Sequence, residues 1–170
     1  MHIVLLGYMA SGKSTIGKLL SSQTGHPFLD LDEYICQKEK LSISEIFAQK
    51  GEIYFRLKEH EYLKEVLENK QDMILSLGGG TPCYANNMEL ILQNDTLSVY
   101  LKASIQTLSE RLLKHKSSRP LIASLEDEQV PEFIAKHLFE RRFFYEQASQ
   151  TIVIDHKSEM EIAAAILQLL

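Results

Sequence analysis

Short apolar runs alternate with longer amphipathic stretches along this chain, and their spacing predicts the order of elements. Residues 3–6 (Ile, Val, Leu, Leu) have no polar member and end at Gly7. A run of that kind fits a strand buried on both faces of a parallel sheet, and it is expected to be the central strand. From 13 to 22, Ile16, Leu19 and Leu20 recur at helical spacing, and Gly25-His26-Pro27 closes the helix. Residues 28–32 read as a second strand ending in Asp30 and Asp32. Ser42, with Glu45 three positions on, marks a helix start over 42–49, and a longer helix is predicted over 51–68. Further strands are predicted at 73–77, 97–101 and 151–155, with helices at 105–113, up to Tyr145, and over 159–170. This βα alternation predicts the α/β class: a three-layer α/β/α sandwich around a five-stranded parallel sheet.

One stretch breaks the pattern. Residues 114–131 hold Lys114, His115, Lys116, Arg119 and Pro120, then Glu126-Asp127-Glu128, and read as a mobile surface loop. Loops of that length in a small domain often serve as lids, although a solvated linker has the same composition. At 170 residues the chain is expected to be a single domain over 1–170. A net charge of -5 and a pI near 5.7 argue against a nucleic-acid binder. Cys36 and Cys83 lie far apart with no metal-ligand spacing, and read as free thiols. The N-terminus lacks a basic region, and its apolar run is too short for a signal peptide or membrane span, so a cytoplasmic protein is expected.

The strongest chemistry lies at Gly7-Tyr8-Met9-Ala10-Ser11-Gly12-Lys13-Ser14-Thr15, which matches G-x-x-x-x-G-K-[ST] between a predicted strand and a predicted helix. Glycines let successive N–H groups converge on phosphate oxygens, and the helix N-terminus adds a positive dipole. Lys13 would reach the β- and γ-phosphates of ATP, and Ser14 would place a hydroxyl on Mg²⁺. Asp30 and Asp32 end the second strand, where alternate side chains share a face and where α/β sheets bind ligands. Such an acidic end also serves as a solvated terminus or a helix cap, and the spacing leaves both open. Arg56 and Glu59 share a helix face, a spacing that by itself favours an ordinary surface pair. Gly78-Gly79-Gly80 end a buried strand, where close approach of a ligand or a plain turn would each explain them. Arg119, Arg141 and Arg142 could meet an anionic substrate. No histidine has a partner spacing that assigns it to metal or base work.

Taken in order, Gly7 to Thr15, Asp30-Leu31-Asp32, Phe55-Arg56-x-x-Glu59, Leu77-Gly78-Gly79-Gly80, Arg119-Pro120-Leu121 and Arg141-x3-Tyr145 resemble the motifs of shikimate kinases over nearly the whole chain. The resemblance implies a P-loop fold of the nucleoside-monophosphate-kinase-like type, with a mobile lid at about 114–125 and a substrate-binding helical segment at about 33–61. It implies phosphorylation of the 3-hydroxyl of shikimate by ATP with Mg²⁺. By it, Lys13, Asp32 and Arg119 would be catalytic, and Ala10, Ser11, Gly12, Lys13, Ser14, Thr15, Arg111 and Arg119 would bind the nucleotide. Asp32, Arg56, Gly78, Gly79, Gly80 and Arg141 would bind shikimate, and Ser14 and Asp30 would belong to the magnesium shell. Ala10 stands where many members have glycine, and no proline follows Ile154-Asp155. A monomer acting on shikimate and ATP, with no nucleic acid or membrane partner, is the expectation. Other readings are a P-loop kinase for gluconate or a nucleoside monophosphate, and a non-catalytic nucleotide-binding module.

Overall fold

The uninterrupted apolar runs form the middle of a parallel sheet in the computed structural model, which describes residues 1–118 and 120–170. In chain order the elements are β1 (His2–Leu6), α1 (Lys13–Thr24), β2 (Phe28–Asp30), α2 (Leu31–Glu39), α3 (Ile43–Lys50), α4 (Glu52–Leu67) and β3 (Ile74–Ser76). They continue with α5 (Asn87–Gln93), β4 (Thr96–Lys102), α6 (Ile105–Lys114), α7 (Pro120–Ala123), α8 (Val130–Tyr145), β5 (Gln150–Val153) and α9 (Glu159–Leu167). The strand order is β2-β3-β1-β4-β5, with all pairings parallel. β1 is thus the central strand, as its lack of a polar face predicts. All residues of β1 and β3 are buried, while the edge strands β2 and β5 keep partly exposed positions.

This order also places the site. The connection from β1 to β2 runs one way across the sheet, and those from β2 to β3, β3 to β4 and β4 to β5 run the other way. Right-handed crossovers therefore put α1 on one face and the later connecting helices on the opposite one. Consistent with this, α1 packs on α9, α4 on α5, and α6 on α8. The chain leaves neighbouring strands β1 and β3 toward opposite faces, which opens a crevice at their carboxyl ends. Asp30, Ser76 and Leu5 stand level across β2, β3 and β1 at the floor of that crevice.

Two expectations need correction. The second strand stops at Asp30 rather than running on to residue 32, because the Asp30 carboxylate accepts from the N–H groups of Asp32 (3.1 Å) and Glu33 (3.4 Å) and caps α2. The described residues of 114–131 are largely short helical turns rather than a loop: turns at Lys116–Ser118 and Asp127–Gln129 lie either side of α7, and α8 begins at Val130. Turns this short cannot show a helical period, yet Ile122 and Val130 are fully buried and anchor the stretch. No helix among the described residues is long and apolar enough to cross a membrane.

α2, α3 and α4 cover the β2 end of the sheet and are tied together by one carboxylate. Glu39 accepts from Tyr62 (2.7 Å) and Tyr54 (2.8 Å) of α4 and from Lys50 of α3 (2.9 Å), with its side chain 6% exposed. These bonds hold its pKa down from 4.5 to about 2. A depressed carboxylate stabilises the fold above its unfolded pKa, and the contribution is lost as pH falls through the folded one. Glu39→Gln is expected to cost about 1–3 kcal/mol at neutral pH. In denaturant titrations the gap from wild type should close below about pH 4, between the two values. A gap constant down to acid pH would rule this account out.

Candidate active site

The phosphate loop leaves β1 at Gly7 and enters α1 at Gly12. Gly7, Ala10 and Gly12 all have positive φ (146°, 65° and 94°). A Cβ on Gly7 would also stand 2.8 Å from the Leu101 carbonyl oxygen, so that position excludes a side chain twice over. Ala10 adopts its left-handed conformation with a Cβ, at a cost of about 1 kcal/mol. Its carbonyl accepts from Nη1 of Arg111 (3.0 Å), which reaches the loop from α6. Lys13 is 8% exposed, and its ammonium donates to the carbonyls of Gly7 (2.8 Å) and Tyr8 (3.0 Å).

The two acidic residues divide their work. Asp30, besides capping α2, accepts from the Ser14 hydroxyl (2.8 Å), which also lies 3.5 Å from that of Ser76. Asp32 sits in the first turn of α2, and burial pushes its carboxyl up from 3.8 to about 6, helped by the negative charges of Asp30 and Glu59 and opposed by Lys13 and Arg56. Ser14 and Asp30 form a pair of hard oxygen donors with surplus negative charge, which suits Mg²⁺ held jointly with phosphates. Among the described residues no three His, Cys, Asp or Glu side chains are gathered to bind a metal by themselves.

The three consecutive glycines bring the charges together. A Cβ on Gly78 would meet the Asp32 carboxylate at 2.8 Å, one on Gly79 would meet Nη1 of Arg141 at 3.3 Å, and one on Gly80 would meet Nη2 of Arg56 at 3.0 Å. None has positive φ, so what glycine supplies here is space rather than backbone freedom. Each clears room for one of three charges arriving from α2, α8 and α4.

Arg56 is not the surface partner its spacing favours. It donates to Glu59 (2.9 Å), whose side chain is 1% exposed and whose other oxygen accepts from the Thr81 hydroxyl (2.6 Å). Its guanidinium lies 3.8 Å from the centre of the Tyr84 ring. Its Nε is buried without an acceptor among the described residues, Glu52 being 3.7 Å away, too far for a hydrogen bond. Thr81 and Tyr84 are contributors that sequence reasoning passed over. Thr81, directly after the glycines, was within reach of it; Tyr84 meets Arg56 only in the folded chain.

Lys13, Ser14, Asp30, Asp32, Gly78 and Gly79 line a cleft of about 560 Å³, together with Arg111, Lys114, His115 and Lys157. Arg111 is thus at the cleft, held against the phosphate loop. Arg119 lies outside the described residues.

A parallel β2-β3-β1-β4-β5 sheet with a phosphate loop after its central strand, facing a half-buried carboxylate and two arginines, defines a P-loop phosphotransferase for a small anionic acceptor. The family model for shikimate kinase matches residues 9–170. The shikimate kinase of Flavobacterium johnsoniae is 54% identical over 168 residues, covering 99% of this chain and 98% of the relative. The crystal structure of shikimate kinase from Bacteroides thetaiotaomicron superposes with a TM-score of 0.90 at 34% identity, over 99% of this chain and 97% of that one. Shikimate kinase from Acinetobacter baumannii in complex with shikimate superposes with a TM-score of 0.86, also at 34% identity, over 99% and 91%. The chain belongs to the shikimate kinase family.

Proposed function

We propose that this enzyme transfers the γ-phosphoryl group of ATP to the 3-hydroxyl of shikimate, giving shikimate 3-phosphate and ADP on the route to chorismate and the aromatic amino acids. The observation that carries the residue assignments is the convergence of Asp32, Arg141 and Arg56 over Gly78, Gly79 and Gly80, beside the phosphate loop. Two arginine forks suit a carboxylate, and the Nε of Arg56 makes no hydrogen bond among the described residues. The half-buried Asp32 carboxylate nearby suits an alcohol.

In this reading Arg56 and Arg141 hold the substrate carboxylate and Asp32 orients the reacting hydroxyl. As its oxygen bonds to the γ-phosphorus and the bond to the β–γ bridging oxygen breaks, Asp32 accepts the proton. Loop residues Ala10 to Thr15 cradle the phosphates, and Lys13 exchanges the loop carbonyls for phosphate oxygens as charge develops. Ser14 and Asp30 would hold Mg²⁺, which when bound neutralises phosphate charge. Arg111 steadies the phosphate loop and flanks the adenine end, and Arg119 joins the γ-phosphate as the lid, about 114–125, closes and excludes water. The helical segment 33–61 carries the acceptor side. The enzyme is read as a cytoplasmic monomer acting on shikimate and ATP, and its net charge of -5 suits neither nucleic acid nor anionic lipid.

A coupled ADP-release assay with purified protein checks the reaction. Turnover should depend on shikimate, with gluconate and nucleoside monophosphates inactive; ADP release indifferent to shikimate would sink the assignment.

A further inference from the structure

α8 carries His137, Arg141 and Tyr145 at four-residue intervals, a spacing that stacks side chains on one helix face. Both ends of this row are tied to loops of the site. The Tyr145 hydroxyl donates to the Gly79 carbonyl (2.5 Å), and its ring is fully buried against Tyr100. At the other end Nδ1 of His137 lies 2.9 Å from the hydroxyl of Tyr8, the second residue of the phosphate loop and itself 1% exposed. Phe133 packs on the His137 ring. Between the two ties, the Arg141 guanidinium stands 5.7 Å from the centre of the Tyr8 ring and reaches over Gly79.

The groups around Arg141 leave its charge available. They are the Tyr145 and Tyr8 phenols and the Cys83 thiol, and burial pushes Tyr8 up to about 12 and Cys83 up to about 11, so both stay neutral at neutral pH. Burial and the Arg141 charge hold His137 below the usual imidazole range, so it too is neutral there. The Tyr8–His137 contact is therefore a hydrogen bond between neutral groups, with Glu140 the one opposing charge acting on His137 among the described residues.

A helix tied at one point can pivot; tied again two turns away, about 12 Å along its axis, it can neither slide nor rotate. We propose that the Tyr8–His137 hydrogen bond is a positioning strut that sets Arg141 relative to the phosphate loop, and so fixes the reach from the bound substrate's carboxylate to the transferring phosphoryl group. This rests on reading Arg141 as a carboxylate clamp. Tyr8 and His137 touch neither substrate in this account and act only through Arg141.

The test uses Tyr8→Phe, which removes one oxygen and keeps the ring, together with His137→Leu, the double variant, His137→Asn and Arg141→Ala, each checked by thermal melting. Tyr8→Phe should raise the KM for shikimate about fivefold, the scale of one neutral hydrogen bond, and leave the KM for ATP unchanged. His137→Leu should do the same, the double variant should be no worse than either single one, and His137→Asn, with an amide group near the Nδ1 position, should recover most of the affinity. Arg141→Ala should raise the same KM much further. If Arg141→Ala has its effect while Tyr8→Phe has none, the strut is wrong and the clamp stands. Additive effects of Tyr8→Phe and His137→Leu, or an equal rise in the KM for ATP, also overturn the strut. No effect of Arg141→Ala removes the clamp, and the strut with it.

Discussion

Asparagine in place of Asp32 is expected to lower kcat by about 10²–10⁴-fold, the range a positioned acid–base group contributes, while nucleotide affinity is unchanged and the melting temperature of the metal-free, nucleotide-free protein rises. The first effect follows from the acceptor role of the carboxylate. The second follows from its surroundings: burial, Asp30 and Glu59 raise its pKa from 3.8 to about 6, so at neutral pH the fold holds a charge it would shed if it could. The sign is fixed by linkage. A carboxylate with a raised folded pKa imposes no penalty below its unfolded value, and stability is lost as pH rises through the folded one. The advantage of Asp32→Asn should therefore be absent near pH 3, grow between about pH 4 and pH 6, and level off above that at roughly 1–3 kcal/mol. Calorimetry across that range, paired with steady-state rates, checks both halves. A variant that keeps a tenth of wild-type kcat ends the base assignment, and one that melts lower than wild type at pH 8 ends the electrostatic account.

Arg56→Ala should do the opposite to stability while also harming function. Glu59 is 1% exposed, and its charge is met by Arg56 and the Thr81 hydroxyl. Removing the guanidinium leaves that carboxylate buried and short of its main partner, an event that costs about 3–5 kcal/mol. The KM for shikimate should rise by about 10²-fold, as expected for one half of a buried charge clamp. Arg56→Met combined with Glu59→Gln separates the two consequences. Neutralising both partners should restore much of the stability, since a buried ion pair stabilises little relative to uncharged groups of similar shape. The KM should stay high, because the substrate carboxylate still lacks its fork. If the double variant regained shikimate affinity, Arg56 would be a structural residue alone.

The phosphate loop, the strand and helix alternation, and the central place of β1 were all legible in the chain, because each follows from backbone physics over a few residues. A glycine pattern between a strand and a helix needs no distant partner to be recognised. The capping box at Ser42 and Glu45 is local in the same way and is present as read. The acidic pair was harder. Whether Asp30 ends a strand or caps a helix depends on a competition between its side chain and the sheet ladder, and in the fold the cap wins and turns Asp32 into α2. The Arg56–Glu59 spacing predicts the contact that forms, but it favours a surface pair where the fold buries Glu59.

What the chain determined by itself is the nucleotide side of this enzyme and, through six motifs in order, its resemblance to shikimate kinases. The acceptor side was decided by tertiary structure. Asp32, Arg56 and Arg141 lie far apart in sequence and come from three different helices, and only the divergence of the chain from β1 and β3 to opposite faces brings them over Gly78 to Gly80. Spacing along a chain reports which side chains share a face of one element. The depth of burial that raises Asp32 and commits Glu59, and the tie from Tyr8 to His137 across 129 positions, depend on which elements the sheet order places together.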